Sequence, residues 1–190
     1  MSRKSIKLDQ KDRKIISLLY DNQDMSQDEI AKIINLSQPS VAIRIRKLRE
    51  KGIIEQIIGI NLNKVGLYVA LVSIRTTNTT KVLNLFRACP FFLNGFITSG
   101  EKNLLLLFAG EDLASLESMI DTRIRPDPDV QSADFNIMIS SIKDFVMPIK
   151  LIERPLKNPP CGVDYKQCQA YKENRCFGCP STSKYKGVFW

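Results

Sequence analysis

The sequence predicts an α+β chain in three parts, and three observations carry that prediction. Residues 26–52 repeat apolar side chains at helical spacing on both sides of a short polar break. Residues 67–142 alternate strand and helix patterns in the order β-α-β-β-α-β. Residues 161–179 hold four of the five cysteines. The expected boundaries are 1–62, 63–150 and 151–190.

In the first part a helix begins after Asp9, a carboxylate placed to cap it, with Ile15, Ile16, Leu18 and Leu19 as core residues. Ser26 and Glu29 stand in the S-x-x-E relation of a capping box. Ser26 accepts from a helix N–H, and Glu29 reaches back to the N–H of Ser26. Ile30, Ile33 and Ile34 give this second helix one apolar stripe. It stops near Asn35-Leu36, because Ser37 is a second N-cap candidate and Pro39 is tolerated only in a first turn. Val41, Ile45 and Leu48 then recur at i, i+4 and i+7 until Gly52 closes the third helix as its C′ residue. The run from Ile53 to Ile60 reads as a short two-stranded wing.

Subtracting the buried stripe leaves Gln38, Ser40, Ile43, Arg44, Arg46 and Lys47 on the outward or flanking sides of the third helix. This is a helix-turn-helix presenting a recognition helix to the major groove of duplex DNA. Gln38, Pro39 and Ser40 open the helix, where base edges are met, and Ile43 suits thymine methyls or sugar. Arg44 and Lys47 read as phosphate clamps. Arg44 also lies close to the buried stripe, and its alternative role is to brace an acidic residue within the domain.

The charge distribution fits a polyanion partner. The formal charge is +8 over 190 residues, divided as +4 in residues 1–62, zero in 63–150 and +4 in 151–190. A basic front joined to a neutral middle suits a nucleic-acid module attached to something that does not touch the nucleic acid. No segment combines a lysine-rich face with bulky aromatic anchors, so a membrane surface is a poor partner. The N-terminal MSRKSIKLDQKDRK has no apolar core after its charges, and no apolar run approaches the roughly 18 residues needed to span a bilayer. A cytoplasmic location with reduced cysteines is expected.

The middle part places a strand at 67–75 and a helix carrying Val82, Leu83 and Phe86. Two strands at 91–98 and 104–109 are joined by the turn Ser99-Gly100-Glu101-Lys102-Asn103. A second helix carries Leu113, Leu116 and Ile120, ends before Pro126 and Pro128, and precedes a long strand at 130–142. This order is the ferredoxin-like split βαβ, with both helices on one sheet face. The other face is expected to be bare, and apolar residues on it imply pairing with a second copy.

With the run L-S-x-x-x-V-x-x-R-I-x-x-L-x-x-x-G-I-I at Leu36 to Ile54, followed by a ferredoxin-like domain, the chain resembles the Lrp/AsnC family of feast/famine transcription regulators over about residues 7–145. The resemblance implies a winged helix-turn-helix plus a RAM-type domain and a homodimer joined through the sheets, often assembled into larger homo-oligomers. It also implies roughly palindromic double-stranded DNA as partner and an amino acid or related small effector near the glycine turn. Ser99, Gly100, Glu101 and Asn103 match the family's G-x-x-D effector loop, with Asn103 where Asp is usual. Asn offers a neutral carbonyl and adds donors, so recognition of a free ammonium is weakened. An ordinary hairpin with glycine at a positive φ is the plainer reading of this loop.

The third part begins with a proline-stiffened linker, Arg154 to Pro160. Cys161, Cys168, Cys176 and Cys179 follow, the last two as C-x-x-C. A tail with few aliphatic residues cannot build a core by burial, so a metal staple is expected. With no histidine in the chain, the site must be all sulfur: a structural zinc, or an iron–sulfur cluster as the alternative. In the latter form the tail is the input of a metal- or redox-sensing regulator. The tail resembles C-G-x-D-C-x-x-C-x-x-Y…C-x-G-C segments of small cysteine-rich domains, with Tyr165 in place of one cysteine. Cys89, beside Pro90, reads as a packing residue. Proteins of this layout also resemble siroheme decarboxylases, which lean on histidines. Lacking these and any phosphate-cradling G-x-x-x-x-G-K, the chain is not expected to be an enzyme.

Overall fold

Asp9 sets the first helix. Its carboxylate accepts from the Asp12 N–H at 2.7 Å, and the Asp12 carboxylate accepts from the Asp9 N–H at 3.3 Å, a reciprocal cap on α1 (Gln10–Asp21). The same device opens α2 (Gln27–Ile34): Ser26 Oγ accepts from Glu29 N–H at 3.2 Å, and Glu29 accepts from Ser26 N–H at 2.8 Å. Asn35 ends α2 at φ 51, a left-handed position that asparagine tolerates better than most side chains. α3 (Gln38–Glu50) carries Pro39 in its first turn. Ser37 is its N-cap by position, but its hydroxyl bonds Ser40 Oγ at 2.8 Å instead of a backbone N–H. At the far end the Gly52 N–H donates to Arg49 O and the Ile53 N–H to Leu48 O, both at 2.9 Å, with Gly52 at φ 62. That is a Schellman closure, which satisfies two carbonyls the helix leaves open.

The computed structural model describes residues 6–152 and 155–190 and separates into two units, Met1–Ile57 and Ile58–Trp190. The first unit closes around Ile15, Ile30, Ala31, Ile34, Val41, Ile45 and Leu48. The α2 stripe is Ile30, Ala31 and Ile34; Ile33, expected in it, is 49% exposed. Successive helical residues turn by about 100°, so a face centred on Ile34 admits Ile30 and Ala31 and turns Ile33 away.

The expected wing is absent as a strand pair among the described residues. Ile53 and Ile54 pack onto the helical core, Ile58 is 93% exposed, and no strand forms before β1 (Ile60–Asn61). β1 pairs antiparallel with β6 (Val146–Met147), matching Ile60 with Met147. Gly59 permits the approach, since a Cβ there would lie 2.5 Å from Val146 Cγ1.

The second unit holds β2 (Tyr68–Thr76), α4 (Thr79–Phe86), β3 (Phe92–Ile97), β4 (Leu104–Gly110), α5 (Leu113–Arg123) and β5 (Val130–Ile137). The sheet runs β3-β4-β2-β5 with every pair antiparallel. Asn78 and Asp112 cap the two helices through Lys81 N–H and Ser115 N–H. Ala70, Val72, Ile74, Leu104, Leu106 and Phe108 meet Val82, Phe86, Leu116 and Ile120 on one face. β5 ends at Ile137, opposite Ala70 and short of the expected 142; one further bond, Met138 N–H to Val69 O at 2.9 Å, follows it.

The opposite face is only partly open. One end, with Leu62, Leu67, Val69 and Ala109, is covered by Phe145, Met147, Ile149 and Trp190 from the same chain. Toward the other end Leu71 and Leu105 are half-buried, and Phe96, opposite Leu105, is exposed.

The tail contains one short helix, α6 (Gln169–Lys172), and packs onto this unit. Glu111 accepts from Tyr185 OH at 2.5 Å, from Val188 N–H at 2.9 Å and from Phe189 N–H at 2.9 Å. Phe177 N–H donates to Ser115 Oγ at 2.8 Å, and Trp190 sits edge-on to Phe91 with centroids 5.3 Å apart. Burial therefore does contribute to the tail, through a core borrowed from the second unit. Arg154, first residue of the linker, lies outside the described residues.

Candidate nucleic-acid interface

The outward side of α3 follows from its inward side. With Val41, Ile45 and Leu48 buried, Gln38, Pro39, Ile43 and Lys47 are exposed and Ser40 and Arg44 half-buried. Gln38 Nε2 donates to Gln27 Oε1 at 2.8 Å, tying the starts of α2 and α3. Ile43, 45% exposed, stands between Ser40 and Lys47 on a hollow of ≈ 380 Å³ that Lys7 and Lys51 also border. Lys47, Arg49 and Lys51 have no ion-pair partner among the described residues, whereas Arg46 reaches Glu50 at 3.7 Å. Lys7 and Lys51 carry no sequence signal for this role, because neither lies on the recognition helix.

Arg44 is a brace. Its Nη1 lies 2.6 Å from Asp9 Oδ2 and 2.6 Å from Asp12 Oδ1, joining α3 to the cap of α1. These bonds raise the Arg44 pKa further above its ordinary value. The Asp12 N–H, and after it the Arg44 guanidinium, hold the Asp9 carboxyl below the ordinary carboxylate value. This is the bracing role that the sequence left open for Arg44; both carboxylates meet Nη1, and Nε and Nη2 have no partner among the described residues. Lys47 is exposed and has no ion-pair partner among the described residues.

The turn at 99–103 is a closed hairpin. Thr98 N–H donates to Asn103 O at 3.0 Å and Glu101 pairs with Arg75 at 2.9 Å. The Asn103 side chain clasps the backbone of Thr76 on the neighbouring strand, accepting from its N–H at 3.0 Å and donating to its O at 2.8 Å. A carboxylate could make only the first of these bonds. Gly100 is not among the glycines at positive φ, and a Cβ there would meet nothing within 4 Å, so the turn does not demand glycine. Ser99 is exposed beside it.

Cys161, Cys168, Cys176 and Cys179 all border one cavity of ≈ 60 Å³, and Cys89 borders it too. Burial raises the thiol pKa of Cys176 and Cys179, and pushes Cys89 up to about 12. Among the described residues no three Cys, Asp or Glu side chains gather closely enough to hold one metal ion. The four thiols border the cavity without gathering at one point. Tyr165, which stands in place of one cysteine of the pattern the tail resembles, is buried; its hydroxyl accepts from Cys179 N–H at 2.8 Å and meets Thr182 Oγ1 at 3.1 Å.

Residues 8–55 match the family of winged helix-turn-helix DNA-binding domains. Over a longer stretch the chain is similar to the HTH-type transcriptional regulator FL11 of Pyrococcus horikoshii, 27% identical over 150 residues that cover 76% of this chain and 99% of the relative. It is also similar to the leucine-responsive regulatory protein of Rhizobium meliloti, 26% identical over 147 residues, covering 73% and 94%. Among solved structures, LrpC of Bacillus subtilis matches with a TM-score of 0.61 at 27% identity, covering 73% of this chain and 99% of that one. AsnC of Escherichia coli matches in fold with a TM-score of 0.65 at 18% identity, covering 73% and 96%. The first of these relatives is an HTH-type transcriptional regulator and the second a leucine-responsive regulatory protein. No helix among the described residues is long and apolar enough to cross a membrane.

Proposed function

We propose that this protein is a DNA-binding transcriptional regulator of the Lrp/AsnC type that lays α3 in a major groove. The observation that carries the reading is the exposed Gln38–Lys47 side of a helix whose other side is pinned by a closed core and two capped neighbours. Gln38 and Ser40 are the base-edge groups, Ile43 the apolar contact, and Lys47 the phosphate contact, with Lys7 and Lys51 adding charge beside it. The test is selection of genomic fragments by the full chain at low and moderate ionic strength. A reproducible site that outcompetes random duplex supports the reading; binding without preference refutes it.

Assembly is assigned to the open end of the second unit's sheet, where Leu71, Leu105 and Phe96 form an apolar patch for a second copy. Paired copies present two recognition helices, which suits a roughly palindromic site. The effector is assigned to the 99–103 loop. Glu101 is its only carboxylate and thus the group for an ammonium, which would take the place of Arg75 in an exposed ion pair, whereas Asn103 is held by two backbone bonds to Thr76. An amino-acid panel read by thermal shift and by change in oligomer size tests this, and no response across the panel discards it. The tail supports a second reading, a regulator whose input is held by thiols, favoured by the convergence of the cysteines on one cavity.

A further inference from the structure

The centre of the tail is where a small module would place aliphatic side chains. Here Cys161, Cys168, Cys176 and Cys179 border a cavity of ≈ 60 Å³ together with Phe91, Met119, Val163 and Tyr165. The sulfurs do not converge on one point. Around a single tetrahedral zinc they would sit roughly 3.8 Å apart, as bond lengths near 2.3 Å require. In an iron–sulfur cluster inorganic sulfides lie between the irons, so the thiolates stand farther apart around a filled space. Four thiols that border one cavity without gathering at one point suit the cluster, whose thiolates bind different irons.

We propose that this cavity is the binding site of a four-thiolate iron–sulfur cluster, held by Cys161, Cys168, Cys176 and Cys179. Three further features of the site belong with it. Gly178 N–H donates to Cys176 Sγ at 3.4 Å, the kind of bond to sulfur that sets a cluster's potential. Gly178 holds φ +89, and a Cβ there would lie 3.0 Å from the Tyr171 ring, so only glycine brings that N–H in. Arg123 borders the cavity and donates to the Cys161 carbonyl, fixing a cation beside a cluster whose thiolates make it anionic. Cys89 is a wall and not a ligand: its thiol contacts Met119 Sδ at 3.8 Å, and it comes from the second unit's own helix–sheet layer. Each ligation replaces one S–H bond by an S–Fe bond and releases one proton, four in all. The irons and sulfides arrive as a preformed cluster, so this step moves no electrons.

The assignment does not rest on DNA binding, because it is read on the free protein. The full chain is purified anaerobically and analysed for iron, zinc and acid-labile sulfide, with visible absorption recorded before and after exposure to air. Equimolar iron and sulfide with a broad visible band that air bleaches is the expected result. Stoichiometric zinc without sulfide, or metal-free protein that takes up no cluster from iron, sulfide and thiol, overturns it. Alanine at each of Cys161, Cys168, Cys176 and Cys179 should lower iron at least several-fold, and Cys89→Ala should leave it unchanged. Fluorescence of Trp190, the single tryptophan, reports whether a variant's tail is still docked. A docked variant at any of the four positions with full iron removes that residue as ligand and overturns the four-thiolate assignment.

Discussion

Replacing Arg44 by methionine and Lys47 by alanine separates a brace from a phosphate contact. The Arg44 guanidinium is about one-third exposed and bonded at 2.6 Å to each of two carboxylates. Screening reduces such pairs, and losing the guanidinium should cost the first unit about 1–2 kcal/mol. For a unit of this size that is a fall in Tm of roughly 5–15 °C. Lys47 has no ion-pair partner among the described residues, so its loss should be nearly neutral for stability. On DNA the order reverses. Each neutralised phosphate contributes about 0.9 to the slope of log K against log salt. Two copies of Lys47→Ala in a bound dimer should therefore flatten the slope by about 1.8, and the mutant should lose about 12-fold less affinity than wild type across a fourfold rise in salt. Arg44→Met should leave the slope unchanged. Anisotropy titrations on a selected duplex over a salt series, beside thermal melts of the same variants, measure both. If Arg44→Met flattened the slope as Lys47→Ala does, and melted like wild type, the brace assignment would be wrong.

Four further outcomes follow from the same geometry. Because the Asp9 carboxyl titrates below its ordinary 3.8 in the folded state, its contribution is complete above that value and lost as pH falls through the lower one. Melts between about pH 6 and pH 2 should show that loss; it should shrink in Arg44→Met but persist in part, since the Asp12 N–H remains, and a pH-independent wild-type melt contradicts it. Ser26→Ala removes one half of the α2 capping box and should cost about 1 kcal/mol in the same assay, with no change counting against the cap. Glu111→Ala takes the common acceptor from Tyr185, Val188 and Phe189 and should weaken tail docking by about 2–4 kcal/mol. Hydrogen exchange at Val188 and Phe189 reads it directly, and unaltered protection would show that another contact holds the tail. Phe96→Asp puts a charge on the apolar patch and should shift sedimentation toward monomer at micromolar concentration; an unchanged oligomer moves the interface elsewhere.

What was legible in this chain is what depends on near neighbours. The two capping boxes, the proline in the first turn of α3 and the glycine closure at Gly52 are written within four or five residues of one another, and each appears where its chemistry places it. The order of the second unit's strands and helices was legible for the same reason, because its hairpin and crossovers are local. The larger departures involve a partner far along the chain; Ile33 turning out of the α2 stripe and Ser37 bonding Ser40 are the local ones. Ile53 to Ile60 has strong β-propensity, but propensity cannot say that its only ladder partner is Val146–Met147. The fate of Arg44 turned on Asp9 and Asp12, thirty-five and thirty-two residues away, which the α3 helical wheel does not contain.

The tail is the extreme case. Judged alone, a segment with few aliphatic residues needs a staple, and a single ion is the simplest one. The structure removes that necessity, because Glu111, Ser115 and Phe91 supply the docking that the tail's own composition lacks. If a zinc ion were needed only to hold the tail closed, the thiols would have no reason to stand around a space. A segment already held by hydrogen bonds and aromatic contacts does not need an ion to stay closed, and its thiols still line a cavity against α5. The proposed cluster is a bound group with its own chemistry rather than a staple, and the metal content of anaerobic protein decides the matter independently of whether any DNA site is found.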